Sequence, residues 1–482
     1  MAGIISYGVH IPRYRISHKT ISSAIGWFNP ASPPGEKAVA NYDEDSITMA
    51  VTAGMDCLAN LERGKVEGLY FATTTAPYAE RQGAGMISAA LDLSSDIQIA
   101  DFAHSSKAGT TALISICEMI KAGSVNNMLL CASDCRPGKA GSIQEHVYGD
   151  GGAALLIGNS EVIATMEGSH SMSYDFTGNW RTQEETFIHS LEDRFIQDEG
   201  YAKFIPEAIS GLLQKYQLNI GDFAKVIYTC SNARAHAAIG KKLGLTPEQI
   251  QDHLLASLGN TGTAYPLMML VAALEEAKPN DKILVVGYGN GSDALFFQVT
   301  ENINKSRNRR GMKDNLAARE ELLNYEQYLS FRNMLPLEKG IRGEELETIF
   351  TPMTRQWRER RAILGLCGSR CKRCDTPQYP PQRICVKPDC GAVDEMESYR
   401  FADRQGHLFT YTADNLAFSP NPPQIYGIVD FEGGGRYWFD LTDCNSDSLK
   451  VGMPVKMNFR KKYVDKASGI HTYFWKAIPI QA

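Results

Sequence analysis

The chain of 482 residues is long enough for several domains of about 100–200 residues and for a large buried core. Its 43% hydrophobic and 22% charged residues are typical of globular proteins, and a net charge of −6 argues against a general nucleic-acid binder. The sequence has no apolar run of the roughly 18–20 residues that a membrane helix needs, and no secretory signal pattern. We therefore expect a cytoplasmic protein, and the clusters among its 11 cysteines indicate metal binding or catalysis rather than disulfides.

Up to about residue 300, short apolar runs alternate with helical stretches rich in alanine and glycine. The pattern predicts strands at 64–75, 126–134 and 149–158, a helix at 105–123, and two strands around a glycine turn at 281–297. Alternating strands and helices indicate an α/β fold, in which helices cover both faces of a layered sheet.

After residue 300 the composition changes twice. Residues 301–365 are polar and highly charged, as in a linker that passes into helices. Farther on, short aromatic β runs at regular spacing predict a small β-barrel. Its aromatic side chains are of the kind that stack on nucleic-acid bases, but alternate aromatics in a barrel usually form its core. We therefore expect no nucleic-acid partner for this acidic chain.

Four cysteines lie in two closely spaced pairs before the barrel. Cys371 and Cys374 form a C-x2-C pair, and Cys385 and Cys390 form a C-x4-C pair. Two such pairs on tight turns supply four thiolates for a tetrahedral Zn²⁺ ion, and a closed thiolate shell is typical of a structural site. We therefore predict a structural zinc ion, with Cys367 as a weaker fifth candidate because it precedes the turn.

Five motifs in the first 300 residues carry a family resemblance, and they occur in the order TTTAPYAERQGAGMISAAL (73–91), FAHSSKAGTTAL (102–113), SNARAHAAIGKKLGL (231–245), SLGNTGTAYPLMML (257–270) and GYGNGSDALFF (287–297). The chain resembles the thiolase superfamily, and within it the 3-hydroxy-3-methylglutaryl-CoA synthase branch. The resemblance implies a five-layer αβαβα fold with halves at 1–158 and 159–300. The C-terminal part resembles the proteins that accompany such thiolases, which implies a zinc ribbon at 366–392 and an OB-fold at 393–482.

The resemblance also implies roles for three polar residues. Glu80 corresponds to a general acid/base that exchanges a proton with the acyl-CoA α-carbon, for which burial must raise the pKa of its carboxyl group. His236 and Asn260 correspond to residues that bind the thioester oxygen as negative charge develops on it. An exposed glutamate at a helix start, a structural histidine and an asparagine turn are the alternatives for these positions.

At the position of the family's nucleophilic cysteine this sequence has Ser106, within HSSKAGT. A serine hydroxyl is a poor nucleophile unless a base activates it. Three hypotheses remain open: Ser106 is acylated with help from His236, a (retro-)aldolase acts on a β-hydroxyacyl-CoA without an acyl-enzyme, or the serine inactivates a scaffold that only binds acyl-CoA. Cys230, near His236, is a further candidate for a displaced nucleophile.

The resemblance thus implies an acyl-CoA-dependent enzyme that forms or cleaves a carbon–carbon bond, with coenzyme A as part of its substrate. The thiolase fold usually dimerises through its central layers, so we expect a homodimer and no membrane partner. The sequence leaves the acyl group and the direction of the reaction open.

Overall fold

The computed structural model describes residues 1–306, 309–341, 343 and 351–480. These residues form two compact units. The first consists of Met1–Asn41, Asp45–Gly85 and Ser94–Arg332, and the second of Tyr42–Glu44, Met86–Leu93 and Asn333–Ala482. The linker predicted at 301–365 lies partly outside the described residues.

Fourteen strands precede residue 322 in the described chain: β1 (Gly3–His10), β2 (Tyr14–Ser17), β3 (Glu36–Val39), β4 (Gly68–Ala72), β5 (Gln98–Phe102), β6 (Asn127–Asp134), β7 (Gly151–Gly158), β8 (Ala164–Ser173), β9 (Asn179–Trp180), β10 (His189–Ser190), β11 (Lys225–Tyr228), β12 (Lys282–Gly289), β13 (Gly291–Val299) and β14 (Glu320–Glu321). The helices of this stretch and just beyond it are α1 (His18–Ile25), α2 (Ser46–Cys57), α3 (Gly83–Ala90), α4 (Ala108–Lys121), α5 (Ile143–Val147), α6 (Asp193–Phe195), α7 (Ala202–Tyr216), α8 (Ala233–Lys242), α9 (Tyr265–Glu276), α10 (Met312–Ala317) and α11 (Tyr325–Phe331). All the strands and the helix predicted from the sequence before residue 300 are confirmed.

A sheet of nine strands, in the order β11-β12-β13-β8-β1-β7-β6-β4-β5, forms the frame of the first unit. Its two halves meet where β1 pairs with β8, and only Gly3 and Ile4 of β1 take part in that pairing. Strand β4 runs parallel to β5 and β6, and β11 runs parallel to β12, as in α/β folds with crossover connections.

Helices α4 and α9 form a middle layer between the two halves of the sheet. Helix α4 contacts β4, β6 and β7 of one half and β12 and β13 of the other, and α9 likewise contacts strands of both halves. Most residues of α9, including Leu267 and Leu270, are fully buried, as expected for a helix that is apolar on all sides. Helix α2 packs on the outer face of one half and α7 on that of the other, so the predicted layered α/β fold is confirmed.

Beyond residue 350, the described part of the second unit has the elements α12 (Met353–Arg358), α13 (Arg360–Ile363), β15 (Cys367–Cys371), β16 (Pro377–Gln378), β17 (Met396–Arg400), β18 (Gly406–Asp414), β19 (Gln424–Phe431), β20 (Arg436–Asp440), β21 (Pro454–Asp465) and β22 (Ile470–Pro479). Strands β16-β15-β17 form a small sheet, and β20-β19-β18-β21-β22 form an antiparallel sheet of five strands. Buried and half-buried residues alternate strictly along β19, and Phe439 and Trp475 are almost fully buried. The predicted C-terminal β-barrel is therefore confirmed, with aromatic side chains in its core.

The second unit also buries a cluster of charged side chains. Arg460 pairs with Asp43 at 3.2 Å, with Glu44 at 2.7 Å and with Asp443, while Lys476 pairs with Asp43 at 2.9 Å. Buried charges are tolerated only when they are paired, so the carboxylates of Asp43, Glu44 and Asp443 satisfy the two cations of the barrel. Among the described helices, none combines the length and the apolarity needed to cross a membrane.

Candidate active-site cleft

A cleft of about 650 Å³ lies in the first unit, next to the ends of several strands. Its wall includes Thr73–Thr75 after β4, His104–Ser106 before α4, the stretch Gly178–Gln183 and Tyr288–Asn290 at the turn between β12 and β13. Ligand sites of α/β proteins commonly lie at the carboxyl ends of strands, where loops bring polar groups together. This cleft is therefore the candidate active site.

Ser106 lies in the wall of the cleft, just before α4 begins at Ala108. Its Oγ donates a hydrogen bond of 2.9 Å to the backbone oxygen of Tyr288. The start of α4 is held in turn by Asp293, which accepts from the Lys107 Nζ at 2.9 Å and from Thr110 and Thr111. The Ser106 hydroxyl thus has a carbonyl oxygen as its partner, and not a base.

Glu80 lies at the rim of the cleft. Its neighbours Ala79 and Arg81 line the cleft, whereas Glu80 does not and is exposed. A raised carboxyl pKa requires burial or a nearby negative charge. Glu80 lacks the burial on which its expected role depends, and that role stays a prediction.

His236 is buried, with 3% of its surface exposed, and it does not line the cleft. Its ring stacks on Tyr228 with centroids 4.0 Å apart and meets His253 edge-on at 5.0 Å. Burial lowers the pKa of His236 to about 4, and the neighbouring His253 ring acts in the same direction. The Nε2 atom has no hydrogen-bond partner in the described part of the chain, so His236 is a neutral imidazole with one free nitrogen.

Asn260 is also buried and lies outside the lining of the cleft. Its Nδ2 donates to Ser231 Oγ at 2.7 Å, and its Oδ1 accepts from the Gly262 N–H at 2.8 Å. Its main chain pairs with that of Tyr148. Of the four predicted site residues, the structure therefore places Ser106 in the cleft wall and Glu80 next to two lining residues, whereas His236 and Asn260 are buried and do not line the cleft.

Asp134, which the sequence analysis missed, holds one wall of the cleft. Its Oδ1 accepts from the Thr74 N–H at 2.7 Å and from the hydroxyls of Thr73, Thr74 and Thr75 at 2.9–3.0 Å. Its Oδ2 accepts from the N–H and hydroxyl of Thr263 at 2.8 and 3.0 Å. The sequence signal that could have identified Asp134 is an aspartate at the end of the apolar strand β6, because a carboxylate buried there needs hydrogen-bond donors.

Two basic residues of the cleft wall, His104 and Arg136, were not predicted from the sequence. His104 has a φ of 69°, in the left-handed region that residues other than glycine seldom adopt. It is exposed and lies two positions before Ser106. Arg136 is almost buried, and its side chain packs on the ring of Tyr148.

In the second unit, Cys371, Cys374, Cys385 and Cys390 bring their sulfur atoms within 4.8 Å of one another. The distances are 3.7 Å between Cys371 and Cys390 and 3.5 Å between Cys374 and Cys385. A tetrahedral zinc site with Zn–S bonds of about 2.3 Å has sulfur atoms about 3.8 Å apart, so the cluster fits this ion. Cys367 is not part of the cluster, and its Sγ contacts the Gly365 carbonyl at 3.6 Å.

The low pKa of His236 predicts a loss of stability in acid. Because the unfolded chain, with an ordinary pKa of 6.5, takes up the proton before the folded one does, stability falls as the pH decreases from about 6.5 to 4. Between pH 6.5 and pH 4, protonation of this residue in the unfolded chain lowers the free energy of unfolding by up to about 3 kcal/mol. Calorimetric unfolding at pH 7 and pH 4.5 is expected to show a smaller loss for His236→Gln than for the wild type, and parallel curves would contradict the assignment.

Comparisons with known proteins cover both units. The family described as 3-oxoacyl-[acyl-carrier-protein] synthase III C terminal matches residues 213–295, and the C-terminal OB-fold domain of ChsH2 matches residues 399–460. Hydroxymethylglutaryl-CoA synthase of Methanopyrus kandleri is 31% identical over 342 residues, which cover 69% of this chain and 97% of that protein. The synthase of Pyrococcus furiosus is also 31% identical, over 68% of this chain and 95% of its own length.

Solved structures show the same fold at lower identity. An HMG-CoA synthase complexed with CoA matches with a TM-score of 0.62 and 18% identity, covering 71% of this chain and 92% of its own. The 3-oxoacyl-[acyl-carrier-protein] synthase III of Aquifex aeolicus matches with a TM-score of 0.56 and 20% identity, covering 62% of this chain and all of its own. At these identities the likeness establishes the fold of the first unit.

Proposed function

Because the chain belongs to the hydroxymethylglutaryl-CoA synthase family of the thiolase superfamily, we propose that it binds an acyl-CoA thioester in the cleft and forms or cleaves a carbon–carbon bond there. The observation that carries this proposal is the position of Ser106, in the cleft wall at the start of the central helix α4. A thioester bound beside it meets the positive end of the α4 dipole, which favours negative charge on an oxygen atom. Coenzyme A enters as part of the substrate.

A second candidate function is a (retro-)aldol reaction on a β-hydroxyacyl-CoA without an acyl-enzyme. The hydrogen bond from Ser106 to the Tyr288 carbonyl favours it, because a nucleophilic serine needs a base as its partner. His236, the base considered for this purpose, stacks on Tyr228 and does not line the cleft. In this route the Ser106 hydroxyl stays bonded to the Tyr288 carbonyl oxygen, and it forms no bond to the acyl group.

The other site residues keep proposed roles. We propose, on the resemblance alone, that His236 and Asn260 bind the thioester oxygen; neither of them lines the cleft in this structure. Glu80 is proposed as the proton carrier on the resemblance alone. His104 is an additional candidate for this role, supported by its position in the cleft wall.

We further propose that the four-cysteine cluster binds one structural Zn²⁺, because its sulfur spacing suits a tetrahedral thiolate shell. This assigns residues 366–392 to a zinc ribbon, 393–482 to the OB-fold, 301–365 to a linker with helices, and 1–158 and 159–300 to the two halves of the thiolase fold. Closed thiolate sites normally do no chemistry, so the ion stabilises the ribbon.

A homodimer and a cytoplasmic location complete the proposal. Strand β5 forms one edge of the nine-stranded sheet, and all its residues retain some exposure. An edge strand presents N–H and C=O groups that a second copy of the chain can pair with.

Whether Ser106 carries an acyl group after incubation with acyl-CoA distinguishes acyl transfer from the (retro-)aldol reaction. We expect intact-protein mass spectrometry to show no acyl adduct on the wild type, together with turnover of a β-hydroxyacyl-CoA. The Ser106→Cys variant is expected to acquire an adduct at least about tenfold faster, because a thiolate at a helix start is a strong nucleophile. Fragmentation of the labelled peptide identifies the modified residue.

Ser105→Ala is the matched control, since Ser105 is the neighbouring serine of the same wall. An adduct on wild-type Ser106 that Ser106→Ala removes and Ser105→Ala retains would establish acyl transfer through the serine instead. Neither adduct nor turnover, with acyl-CoA binding retained, would show a binding scaffold and overturn the enzymatic proposal.

A further inference from the structure

One part of the cleft wall is apolar, although most of the wall is polar. It consists of Phe176, Trp180 and Ile188, which we term the apolar strip. Trp180 keeps 40% of its surface exposed, and Phe176 and Ile188 are half-buried. Apolar surface in the wall of a concave site is unfavourable in water, and a ligand that covers it gains free energy. The strip is therefore a candidate contact for an apolar group.

The strands β9 and β10 hold the apolar strip in place. Trp180 on β9 pairs with His189 on β10, and their rings stack with centroids 5.4 Å apart. Next to Trp180, the Arg181 side chain donates a hydrogen bond of 2.9 Å to the carbonyl oxygen of Thr74, which belongs to another stretch of the wall. Trp180 thus has a defined position before any ligand binds, which reduces the entropy lost on binding.

The apolar strip begins beside Ser106. The carbonyl oxygen of Tyr288 accepts the hydrogen bond of the Ser106 hydroxyl, and the Tyr288 ring approaches Gly200 together with that of Phe176. A Cβ added at Gly200 would collide with the Tyr288 hydroxyl and come within 3.1 Å of the Phe176 ring. Phe176 also packs edge-on against the buried Phe204, with centroids 5.3 Å apart. An acyl group whose thioester lies at Ser106 therefore meets the strip directly.

The cleft is much larger than a short acyl group. Its volume of about 650 Å³ lies in the range of pockets that enclose a drug-sized ligand. An acetyl group fills roughly 90 Å³ if each of its non-hydrogen atoms takes the volume of a water molecule in the liquid. The cleft thus holds several times the volume of a short acyl group, and the chemistry of its wall decides what fills the rest.

The pantetheine arm of coenzyme A is the nearest alternative occupant of the apolar strip. This arm carries amide groups, which need hydrogen-bond partners once they leave water. The side chains of Phe176 and Ile188 offer none, and that of Trp180 offers a single N–H donor. The strip therefore suits a hydrocarbon better than it suits the arm.

We propose that the apolar strip binds the distal part of a large hydrocarbon acyl group, so that the cleft selects acyl-CoA thioesters with a bulky apolar acyl chain over those with a short one. Trp180 is the specificity-determining residue, because it is the most exposed member of the strip and a tryptophan buries a large apolar area. This inference rests on the proposed binding of acyl-CoA in the cleft.

Titration calorimetry with butyryl-CoA and 4-phenylbutyryl-CoA tests the inference, because the second thioester differs from the first only by a phenyl ring at the end of the chain. We expect the wild type to bind 4-phenylbutyryl-CoA about 10–100-fold more tightly, as for the burial of a phenyl group. Trp180→Ala is expected to reduce this preference at least about fivefold while its affinity for butyryl-CoA changes less than about twofold. Trp180→Phe is expected to retain most of the preference.

Leu191→Ala is the matched control, because Leu191 is an exposed apolar residue next to β10 that does not line the cleft. It is expected to keep the preference of the wild type. Equal loss of affinity for both thioesters and for free CoA in Trp180→Ala, at an unchanged melting temperature, would assign the strip to the coenzyme A arm and overturn the inference.

Two results with the remaining proteins also bear on the inference. Equal affinity of the wild type for both thioesters, or an undiminished preference in Trp180→Ala, would overturn it while leaving the proposed function intact. Failure of the wild type to bind either thioester or free CoA would instead contradict the proposed function itself.

Discussion

Asp134→Ala is expected to destabilise the first unit by about 3–5 kcal/mol and to weaken the binding of butyryl-CoA at least about tenfold. The carboxylate accepts six hydrogen bonds from buried and half-buried donors, and the substitution leaves all of these donors without that acceptor except the Thr263 hydroxyl, which can donate to the Ala72 carbonyl oxygen. Four of the donors belong to Thr73–Thr75, which line the cleft, so the loop is expected to lose its fixed conformation. Calorimetric unfolding and titration calorimetry measure the two effects.

Two further variants make this result specific. Asp134→Asn keeps the shape of the side chain and one acceptor oxygen, so we expect an intermediate loss of stability and affinity. Asp96→Ala removes an exposed aspartate of the same unit and is expected to change stability by less than about 0.5 kcal/mol. If Asp134→Ala unfolds like the wild type and binds butyryl-CoA equally well, other contacts hold Thr73–Thr75 and the prediction is wrong.

Cys374→Ser is expected to reduce the metal content from about one zinc ion per chain to nearly none and to unfold the ribbon. Its sulfur lies 3.5 Å from that of Cys385, within the four-sulfur cluster, and three thiolates cannot close the shell. The free energy of binding structural zinc, about 10–16 kcal/mol in small zinc domains, is also folding free energy of such domains. Elemental analysis gives the metal content, and hydrogen exchange at residues 366–392 reports the unfolding.

Cys444→Ser provides the control for this substitution, because Cys444 belongs to the same unit and lies outside the cluster. It is expected to retain the metal and the protection of the ribbon from exchange. A purified wild type that holds no zinc, or a Cys374→Ser protein that keeps a full equivalent, would contradict the zinc assignment.

The fold could be predicted from the sequence to the extent that local patterns specify it. The apolar runs at 126–134 and 149–158 become β6 and β7, and the stretch 105–123 becomes α4, because buried strands and capped helices leave clear signatures over short ranges. The pairing of the cysteines into one cluster also followed from their spacing, since two tight turns leave few other arrangements.

The site was less predictable, as Ser106 and Glu80 illustrate. The motif around Ser106 correctly indicated a residue at the start of a central helix that lines the cleft. Glu80 stands in an equally distinctive motif, yet its side chain is exposed while Ala79 and Arg81 line the cleft. A motif fixes where the main chain passes, whereas the direction of one side chain depends on neighbours that are distant in sequence.

The sequence by itself determined the class of the fold, the positions of its main strands and helices, the sulfur cluster, the C-terminal barrel and the family. Only the tertiary structure decided the chemistry around the cleft: the carbonyl partner of Ser106, the six donors on Asp134 and the apolar strip in the wall. The physical reason is that hydrogen-bond partners and burial come from contacts between segments far apart in the chain, such as Ser106 with Tyr288. Local patterns carry no information about those contacts.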